Sequence, residues 1–357
     1  MSNVKVKMKL SFVSRLAAVF VAVFFFSLAA AAQVVTLTNF TFSPDKRVIG
    51  RIVPLPSRQL PAHIKLAGKN ARLFTIDQDH NLSFRKALPA KAQSQWYEVV
   101  LKYTSKGKAR QDTFRVVKDE FVRNKVIAHR GAWKNTGATE NSIAALQHAI
   151  RLGCAGSEFD VHMSADSVLF VHHDAKFRDI GIEATPAAEL SKLKLKNGES
   201  LPTLAAHLQE GMKQNKTRLI VELKPSVVSG ARGRALARKA VALVARYQAQ
   251  GWVDYISFDY DILKQVLALD PYAKVAYLKG DKAPATVSQD KFYGLDYHYG
   301  VFQKDPSWMQ QAHQHGLTIN VWTVNDPAMM DWFLKNKADF ITTNEPEILL
   351  EKVKKQQ

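Results

Sequence analysis

Beyond residue 32 the chain shows two different hydrophobic patterns, which meet near residue 120. Residues 33–120 consist of short stretches of alternating apolar and polar residues, separated by turn signals rich in Gly, Pro, Asn and Asp. An alternation with a period of two is typical of half-buried strands, and no long helical period interrupts it. The pattern predicts a small all-β, sandwich-like accessory domain over residues 33–120. The clearest predicted strands cover residues 34–42, 71–76, 96–103 and 112–117.

From residue 121 onward, apolar strands alternate with amphipathic helices such as 141–152, 232–247 and 306–315. Eight such strands within 121–357 predict an α/β fold, a (β/α)8 TIM-type barrel. A ninth apolar run, residues 168–172, follows the second strand too closely for a parallel crossover, so we expect an excursion hairpin there. The predicted barrel strands lie near residues 126–129, 156–161, 218–223, 255–258, 273–278, 292–296, 318–324 and 338–342.

The first 32 residues have the pattern of an export signal. Four basic residues lie at or before Arg15, an apolar run interrupted only by Ser27 covers residues 16–32, and the run ends in small residues. This order is typical of a signal peptide, and the alternative is an uncleaved membrane anchor. No cysteine stands at the exit for lipid attachment. We therefore predict an exported protein, periplasmic or secreted, with a signal peptide over residues 1–32.

Composition and charge exclude several classes of protein. The 357 residues are 46% hydrophobic and 23% charged, which excludes a fibrous or largely disordered chain. A single cysteine, Cys154, excludes a disulfide framework and any multi-cysteine metal site, and we expect a buried structural thiol. The net charge of +18 raises the question of a nucleic-acid partner. However, residues 33–120 hold 16 basic and 7 acidic residues, whereas 121–357 hold 30 and 25. Because the excess lies mostly on the accessory domain, we expect no nucleic acid, but peripheral contact of residues 33–120 with an anionic membrane or cell-envelope surface.

Acidic residues lie at the carboxyl-terminal ends of the predicted barrel strands. The active sites of such barrels form at these strand ends. Glu158 and Asp160 are two residues apart on one strand and therefore share a face, as do Glu222 and Lys224 on the next. Polar groups inside apolar strands are costly unless they are paired or bind a ligand. Three carboxylates converging at a barrel mouth suit one hard divalent cation, Ca²⁺ or Mg²⁺.

Basic residues at the same strand ends supply candidate acid–base and anion-binding groups. His129 and His173 can transfer protons, and the guanidinium fork of Arg130 suits a phosphate. His172 competes with His173 for one position, and strand alternation turns the two side chains to opposite sides. His162 is interpreted as a pairing or surface residue. Together with the cation site, these groups are suited to a phosphodiester.

Residues 124–350 resemble the glycerophosphodiester phosphodiesterases, whose barrel is related to that of phosphoinositide-specific phospholipase C. The matching segments fall in the order and spacing of that family. They are His129-Arg130-Gly131, Glu140-Asn141, Glu158-Phe159-Asp160-Val161, His173-Asp174, Glu222-Leu223-Lys224, Trp322-Thr323-Val324-Asn325 and Ile341-Thr342-Thr343-Asn344-Glu345-Pro346.

The resemblance implies metal-dependent hydrolysis of small glycerophosphodiesters to glycerol 3-phosphate and an alcohol. It assigns catalysis to His129 and His173, without saying which is the acid and which the base. The first attack comes either from a glycerol hydroxyl of the substrate, giving a cyclic intermediate, or directly from water. The remaining implied roles are phosphate or substrate binding by Arg130, Lys224 and Trp322, metal binding by Glu158, Asp160 and Glu222, and support of the metal site by Glu140.

Two other functions fit the same pattern. A lysophospholipase-D-like or other lipid phosphodiesterase would keep the barrel and change the substrate. A catalytically silent envelope-binding protein would keep only the fold, and the intact histidine and carboxylate positions argue against it.

Overall fold

The amino-terminal region of the computed structural model, which describes residues 33–88 and 94–355, consists of two four-stranded sheets. The strand orders are β1-β3-β6-β5 and β2-β8-β7-β4, and β2 with β8 is the one parallel pair. The strands are β1 (Val35–Leu37), β2 (Thr41–Phe42), β3 (Val48–Pro54), β4 (Ile64–Ala67), β5 (Phe74–Ile76), β6 (Asn81–Phe84), β7 (Trp96–Ser105) and β8 (Lys108–Lys118). The signal-peptide prediction for residues 1–32 lies outside the described residues.

The two sheets share one hydrophobic core, which confirms the predicted all-β region. Phe42 of one sheet packs edge-on against Phe84 of the other, with ring centroids 5.2 Å apart. Two predicted strands are wrong in part. Residues 71–73 form a 3-10 turn, and residues 34–42 are interrupted because the Asn39 amide bonds the backbone oxygens of Thr41 and Ile49, both at 2.8 Å.

The rest of the chain forms a closed barrel of eight parallel strands, as predicted. The barrel closes because the last strand pairs with the first, β19 with β9, and β9 also pairs with β10. The strands, in chain order, are β9 (Val126–Ala128), β10 (Gly156–Met163), β14 (Arg218–Leu223), β15 (Val253–Ser257), β16 (Val275–Tyr277), β17 (Gly294–His298), β18 (Thr318–Trp322) and β19 (Phe340–Thr343).

A short excursion leaves the barrel after β10. Strand β11 (Leu169–Val171) pairs antiparallel with β10, which confirms the predicted hairpin outside the barrel count. It is followed by a second hairpin, β12 (Lys176–Phe177) with β13 (Ile180–Gly181), and by a 3-10 turn over Ile182–Ala184. These segments all lie at the carboxyl-terminal end of the barrel strands.

Helices cover the outside of the barrel and begin at recognisable caps. Ser142 accepts a hydrogen bond from Ala145 N at 3.1 Å, and Asp326 accepts one from Met329 N at 2.8 Å. None of the helices in residues 33–88 and 94–355 is long and apolar enough to cross a membrane. The helices are α1 (Ile143–Leu152), α2 (Ala187–Leu190), α3 (Leu204–Gly211), α4 (Gly230–Tyr247), α5 (Tyr260–Leu269), α6 (Pro284–Gln289), α7 (Tyr299–Lys304), α8 (Ser307–Gln314), α9 (Pro327–Lys335) and α10 (Pro346–Lys354).

Strand alternation separates the barrel interior from the layer beneath the helices. On β14, Leu219, Val221 and Leu223 belong to the large core under the helices, whereas Ile220 belongs to a small cluster inside the barrel. Glu222 is two residues beyond Ile220 and therefore also points inward, one layer nearer the carboxyl-terminal mouth. The same alternation places the acidic residues of β10 in that mouth.

The two regions meet at several close contacts. Asn215 donates a hydrogen bond to the Lys118 carbonyl at 3.0 Å, and a Cβ on Gly251 would lie 2.9 Å from the Phe40 carbonyl oxygen. The predicted boundary between 120 and 121 falls between the end of β8 and the start of β9, and it stays a prediction. Cys154 is fully buried, as predicted, and burial raises the pKa of its thiol to about 12.

Candidate active site

A sharp turn after β9 shapes one side of the barrel mouth. Arg130 and Gly131 both have positive φ, 56° and 79°, so the chain turns back immediately after His129. A Cβ on Gly131 would lie 2.7 Å from the Cβ of Ala145, which only glycine avoids. The turn aims the Arg130 amide at Glu158, whose Oε2 accepts its hydrogen bond at 2.8 Å. The His-Arg-Gly sequence is therefore explained by backbone geometry at the mouth.

The three predicted metal carboxylates lie together in the mouth. Glu158 and Asp160 from β10 and Glu222 from β14 are buried, and one oxygen of each lies within 4.8 Å of the others. Asp160 stands directly opposite Glu222 in the parallel pairing. The Lys224 ammonium lies 2.8 Å from Asp160 Oδ1 and 2.7 Å from Glu222 Oε1. The structure brings these four predicted residues into one cluster, and their roles remain predictions.

Three buried carboxylates so close together cannot all carry charge without a compensating cation. Burial, together with the charges of Asp160 and Glu222, raises the pKa of Glu158 well above its usual range. Burial and the charge of Asp160 raise the pKa of Glu222 to about 8. Burial also acts to raise the pKa of Asp160, but the charges of Lys224 and His173 and the hydrogen bonds from Lys224 and Asn141 together outweigh it and hold that pKa below its usual range. The single ammonium of Lys224 therefore does not balance the charge of three ionised carboxylates.

A buried asparagine holds Asp160 in place. Asn141 Nδ2 donates to Asp160 Oδ2 at 2.8 Å, and Asn141 Oδ1 accepts from the Asp160 amide at 3.1 Å. Asn141 has a φ of 61°, a left-handed conformation that asparagine tolerates better than most residues. The sequence prediction quoted this residue within a motif but gave it no role, although an Asn beside Glu140 before a helix was the available signal.

His129 is held by a residue from the far end of the chain. Its Nδ1 lies 2.8 Å from Asn344 Oδ1, so this nitrogen carries the hydrogen and Nε2 is left with a lone pair. Burial, assisted by the charge of Arg130, lowers the pKa of His129 to about 4, so the ring is neutral at neutral pH. The sequence prediction noted Asn344 only as part of a strand-end motif.

The three histidines near β11 separate into different environments. His173 lines the same cavity as His129, and its Nδ1 lies 2.7 Å from Asp174 Oδ1. His172 turns the other way, packs at a tilt against Phe177 with ring centroids 5.2 Å apart, and bonds the Lys176 carbonyl. His173 therefore lines the cavity and His172 does not, and the catalytic role predicted for His173 stays a prediction.

His162 lies behind the mouth rather than at the surface. It is 3% exposed, and its Nε2 lies 3.2 Å from the His173 carbonyl oxygen. The contact agrees with the prediction that His162 is a pairing residue. The alternative prediction, a position at the surface, is wrong. His162 thus supports the backbone of His173.

Arg130 spans the cation cluster and the outer rim. Its Nη1 bonds Glu140 Oε2 at 2.9 Å, and its Nε lies 3.8 Å from Asp160 Oδ2. The Nε is buried and has no hydrogen-bond partner among residues 33–88 and 94–355. Glu140, predicted to support the metal site, therefore contacts Arg130, and one guanidinium donor is left for a ligand.

These groups surround a cavity of about 110 Å³. Polar groups cover one wall and apolar side chains cover the other, where Trp322 packs edge-on against Phe258 with centroids 5.4 Å apart. Of the predicted site residues, only Asp160 and Glu140 do not line the cavity. The lining is His129, Arg130, Glu158, His173, Glu222, Lys224, Ile256, Phe258, Leu278, Asp296, Trp322, Thr323 and Thr342.

Comparisons with known proteins identify the family of this chain. The profile of the Glycerophosphoryl diester phosphodiesterase family matches residues 129–348, which is more than half of the chain. The chain belongs to the glycerophosphoryl diester phosphodiesterase family. The predicted enzyme class, glycerophosphodiester phosphodiesterase, is thereby confirmed.

Individual relatives cover the barrel nearly end to end. The crystal structure of a glycerophosphodiester phosphodiesterase from Parabacteroides distasonis is 42% identical, with a TM-score of 0.64, over 67% of this chain and 99% of the other. A glycerophosphodiester phosphodiesterase from Caldanaerobacter subterraneus is 28% identical over 66% of this chain and 99% of its own. A phosphodiesterase from Oleispira antarctica, solved with sn-glycerol-3-phosphate, is 24% identical with a TM-score of 0.55, over 65% and 96% of the two chains, and shares the fold.

The phosphodiesterase barrel also contains a larger cavity, about 390 Å³, at the amino-terminal ends of the strands. None of the predicted site residues lines it. Asp296 lines both cavities, and burial raises the pKa of its carboxyl to about 7. Its backbone oxygen accepts a hydrogen bond from Trp322 Nε1 at 2.9 Å. We place the chemistry in the smaller cavity because the histidines and carboxylates meet there, and Asp296 is a lining residue that the sequence prediction missed.

Proposed function

We propose that this chain hydrolyses soluble glycerophosphodiesters, such as glycerophosphocholine or glycerophosphoethanolamine, to glycerol 3-phosphate and the free alcohol. One observation carries the proposal: two histidines, a guanidinium and two of the three clustered carboxylates, Glu158 and Glu222, line a single cavity, and Asp160 stands directly beside Glu222. The structure of the Oleispira antarctica phosphodiesterase holds sn-glycerol-3-phosphate, the product expected here, and supports the proposal.

The carboxylate cluster fits one divalent cation, Ca²⁺ or Mg²⁺. Glu158 Oε1 is buried without a hydrogen-bond partner in the described part of the chain, and the donor set is all oxygen, which these hard cations prefer. Glu158, Asp160 and Glu222 would hold the cation, with Glu140 acting through Arg130. When bound, the cation supplies charge neutralisation at the phosphate oxygens.

Arg130 and Lys224 bind the phosphate in this proposal. The free Nε of Arg130 donates to a non-bridging oxygen, and Lys224 contributes positive charge from the cavity wall. Trp322 and Phe258 form the apolar wall against which the glycerol carbons pack. This division puts the charged end of the substrate against the carboxylate side and its carbon skeleton against the aromatic side.

We assign the base to His129 and the acid to His173. His129 is neutral, and Asn344 fixes its Nδ1 hydrogen, so Nε2 can accept a proton from the attacking hydroxyl. Asp174 binds Nδ1 of His173 and orients this ring so that it can return a proton to the leaving alkoxide. The assignment is the same whether a substrate hydroxyl or water attacks.

Release of glycerol 3-phosphate from glycerophosphocholine, with Ca²⁺, Mg²⁺ or chelator, tests the proposal. We expect chelation to abolish turnover, and His129→Ala and His173→Ala each to lower kcat by at least about 100-fold. His172→Ala is the matched control, because this neighbouring ring packs on Phe177 outside the cavity. Equal losses in His172→Ala and His173→Ala, or full turnover in chelator, would refute the assignment.

Export and surface contact complete the proposal. We propose that residues 1–32 are removed as a signal peptide. We also propose that the basic region 33–120 makes peripheral contact with anionic membrane or cell-envelope surfaces. Mass measurement of the exported protein tests the first, with a mature chain starting near Gln33 as the expected result. Deleting residues 33–120 without changing salt-dependent binding to anionic vesicles would disprove the second.

A further inference from the structure

One buried carboxyl in the smaller cavity has no role in the proposed reaction. Asp296 on β17 is 2% exposed and lines that cavity. Its side chain points into the barrel, because the neighbouring Leu295 and Tyr297 both belong to the core under the helices. Its Oδ1 is buried, and no residue in the two described ranges gives this oxygen a hydrogen bond. A buried acceptor in this state is costly unless a ligand supplies the missing donor.

The surroundings of Asp296 differ from those of the carboxylate cluster. Asp160 and Glu222 both contact the Lys224 ammonium, whereas Asp296 forms no ion pair with any residue that the structure describes. Burial raises the pKa of Asp296 to about 7, and hydrogen bonding to the neighbouring Asn320 acts to lower it. Both the ionised and the neutral carboxyl have oxygen lone pairs that accept a hydrogen bond. An uncharged donor such as a hydroxyl therefore suits this position.

Asp296 lies across the barrel from the carboxylate cluster. In the closed order of eight strands, β17 is four strands away from β10 in either direction. Glu158 on β10 and Asp296 on β17 both line the smaller cavity, so they approach it from opposite sides. A diester whose phosphate lies against the cluster must therefore extend its other atoms towards Asp296.

The aromatic wall of the cavity leads to the same carboxyl. Trp322 Nε1 donates a hydrogen bond to the backbone oxygen of Asp296 at 2.9 Å, which fixes the indole beside this residue. Phe258 packs edge-on against the other side of the wall, with ring centroids 5.4 Å apart. Glycerol carbons that pack on this wall carry their hydroxyl groups next to Asp296.

The other polar side chains on this side of the cavity are less suited to bind a hydroxyl. Thr342 Oγ1 accepts a hydrogen bond from Asn320 Nδ2 at 2.9 Å and lies 3.2 Å from Asn320 Oδ1, so these two groups satisfy each other. Thr323 follows the end of β18, nearer the mouth, and is partly exposed. Asp296 is therefore the buried acceptor with a free oxygen at this wall.

We infer that Asp296 is a specificity-determining residue that accepts a hydrogen bond from the terminal hydroxyl of the substrate's glycerol. The terminal hydroxyl is the one farthest from the phosphate, so it is the group that reaches across the cavity. This role rests on the proposed function and adds a requirement to it, namely that the glycerol is unsubstituted at this position. An acyl ester there has no hydrogen to donate, so a lysophospholipid leaves Asp296 unpaired and is disfavoured.

A pair of substrates tests this role. Propane-1,2-diol phosphocholine differs from glycerophosphocholine only in lacking the terminal hydroxyl. We expect the wild-type kcat/KM to be at least about 30-fold lower for this analogue, because the missing donor leaves a buried acceptor unpaired. Asp296→Leu should lower kcat/KM for glycerophosphocholine by a similar factor and change the value for the analogue by less than about threefold. The variant would then no longer discriminate between the two substrates.

Two further variants control for damage to the barrel. Asp296→Asn keeps the shape of the side chain and an accepting oxygen, so it should retain at least about tenfold discrimination. Asp254→Asn changes a carboxylate on β15 that lines only the larger cavity and pairs with Arg218, and it should leave the ratio of the two kcat/KM values unchanged. Partial unfolding lowers both values by the same factor, so the ratio reports on specificity alone.

Calorimetric binding of phosphate monoesters needs neither turnover nor a head group. We expect the wild type to bind glycerol 3-phosphate and 3-hydroxypropyl phosphate, which keep the terminal hydroxyl, at least about tenfold more tightly than 2-hydroxypropyl phosphate. Asp296→Leu should bind all three alike. Equal wild-type affinities, a preference that survives in Asp296→Leu, or a loss confined to phosphocholine compounds would overturn this role. The proposed function fails instead if no diester is hydrolysed while the preference among monoesters remains.

Discussion

Asn344 binds Nδ1 of His129 at 2.8 Å, across 215 positions of sequence. Barrel closure creates this contact, because Thr343 pairs with Ala128 where the last strand meets the first. Asn325 holds Asn344 in turn by accepting a hydrogen bond from its amide at 2.8 Å. The orientation of the proposed base therefore depends on the seam of the barrel.

Replacing Asn344 tests this dependence. We expect Asn344→Ala to lower kcat by about 10- to 100-fold, because the ring loses the partner that selects its tautomer. Asn344→Asp places a carboxylate there, which raises the pKa of His129, so the acid limb of the pH–rate profile moves to higher pH. Asn336→Ala, at the exposed end of α9, is the control and should leave the profile unchanged. An acid limb that stays in place in Asn344→Asp would argue against His129 as the base.

Local patterns were enough to predict the barrel and the side chains that point into its mouth. Glu158 and Asp160 share a face because strand alternation has a period of two, and adjacency of β10 and β14 brings Glu222 beside them. The contacts of Asn344 and Asn141 could not be predicted this way. Each depends on how distant or left-handed segments are placed after closure, and neither leaves a periodic signal.

Divalent cations should stabilise the folded protein through the carboxylate cluster. We expect Ca²⁺ or Mg²⁺ to raise the melting temperature, because ligands that bind the native state shift the folding equilibrium towards it. Glu158→Gln should lose most of this response, since it removes one anionic ligand and keeps the acceptor for the Arg130 amide. The exposed Glu189→Gln serves as the control. A full cation response in Glu158→Gln would place the cation elsewhere.

The cation-free protein should become less stable as pH rises from about 4.5 through about 8. The pKa of Glu222 is raised from 4.5 to about 8, so the native state holds a proton that the unfolded state has already released. The stabilisation that comes from this proton is complete below pH 4.5 and is lost as pH rises through 8. Urea unfolding across this range measures the effect. Saturating cation and Glu222→Gln should each flatten the dependence, and a flat curve for the cation-free wild type would contradict the raised pKa of Glu222.

A second buried group should limit stability at acid pH. His207 on α3 is 1% exposed, its ring lies 4.5 Å from that of Phe159, and no described residue forms a hydrogen bond with its Nδ1. Burial lowers the pKa of this histidine from 6.5 to about 3, so the folded state holds it neutral while the unfolded state takes up a proton. The contribution of His207 to the free energy of unfolding is therefore complete above pH 6.5. It is lost as pH falls towards 3, by about 1 kcal/mol per pH unit.

The variant His207→Leu isolates this contribution, because leucine fills a similar volume and cannot take up a proton. We expect its free energy of unfolding to fall less steeply than that of the wild type between pH 6.5 and 4, as measured in urea. His315→Gln, at an exposed position after α8, controls for the loss of a histidine and should follow the wild-type curve. Parallel curves for His207→Leu and the wild type would mean that acid uptake is governed by other groups, despite the burial of this ring beneath β10.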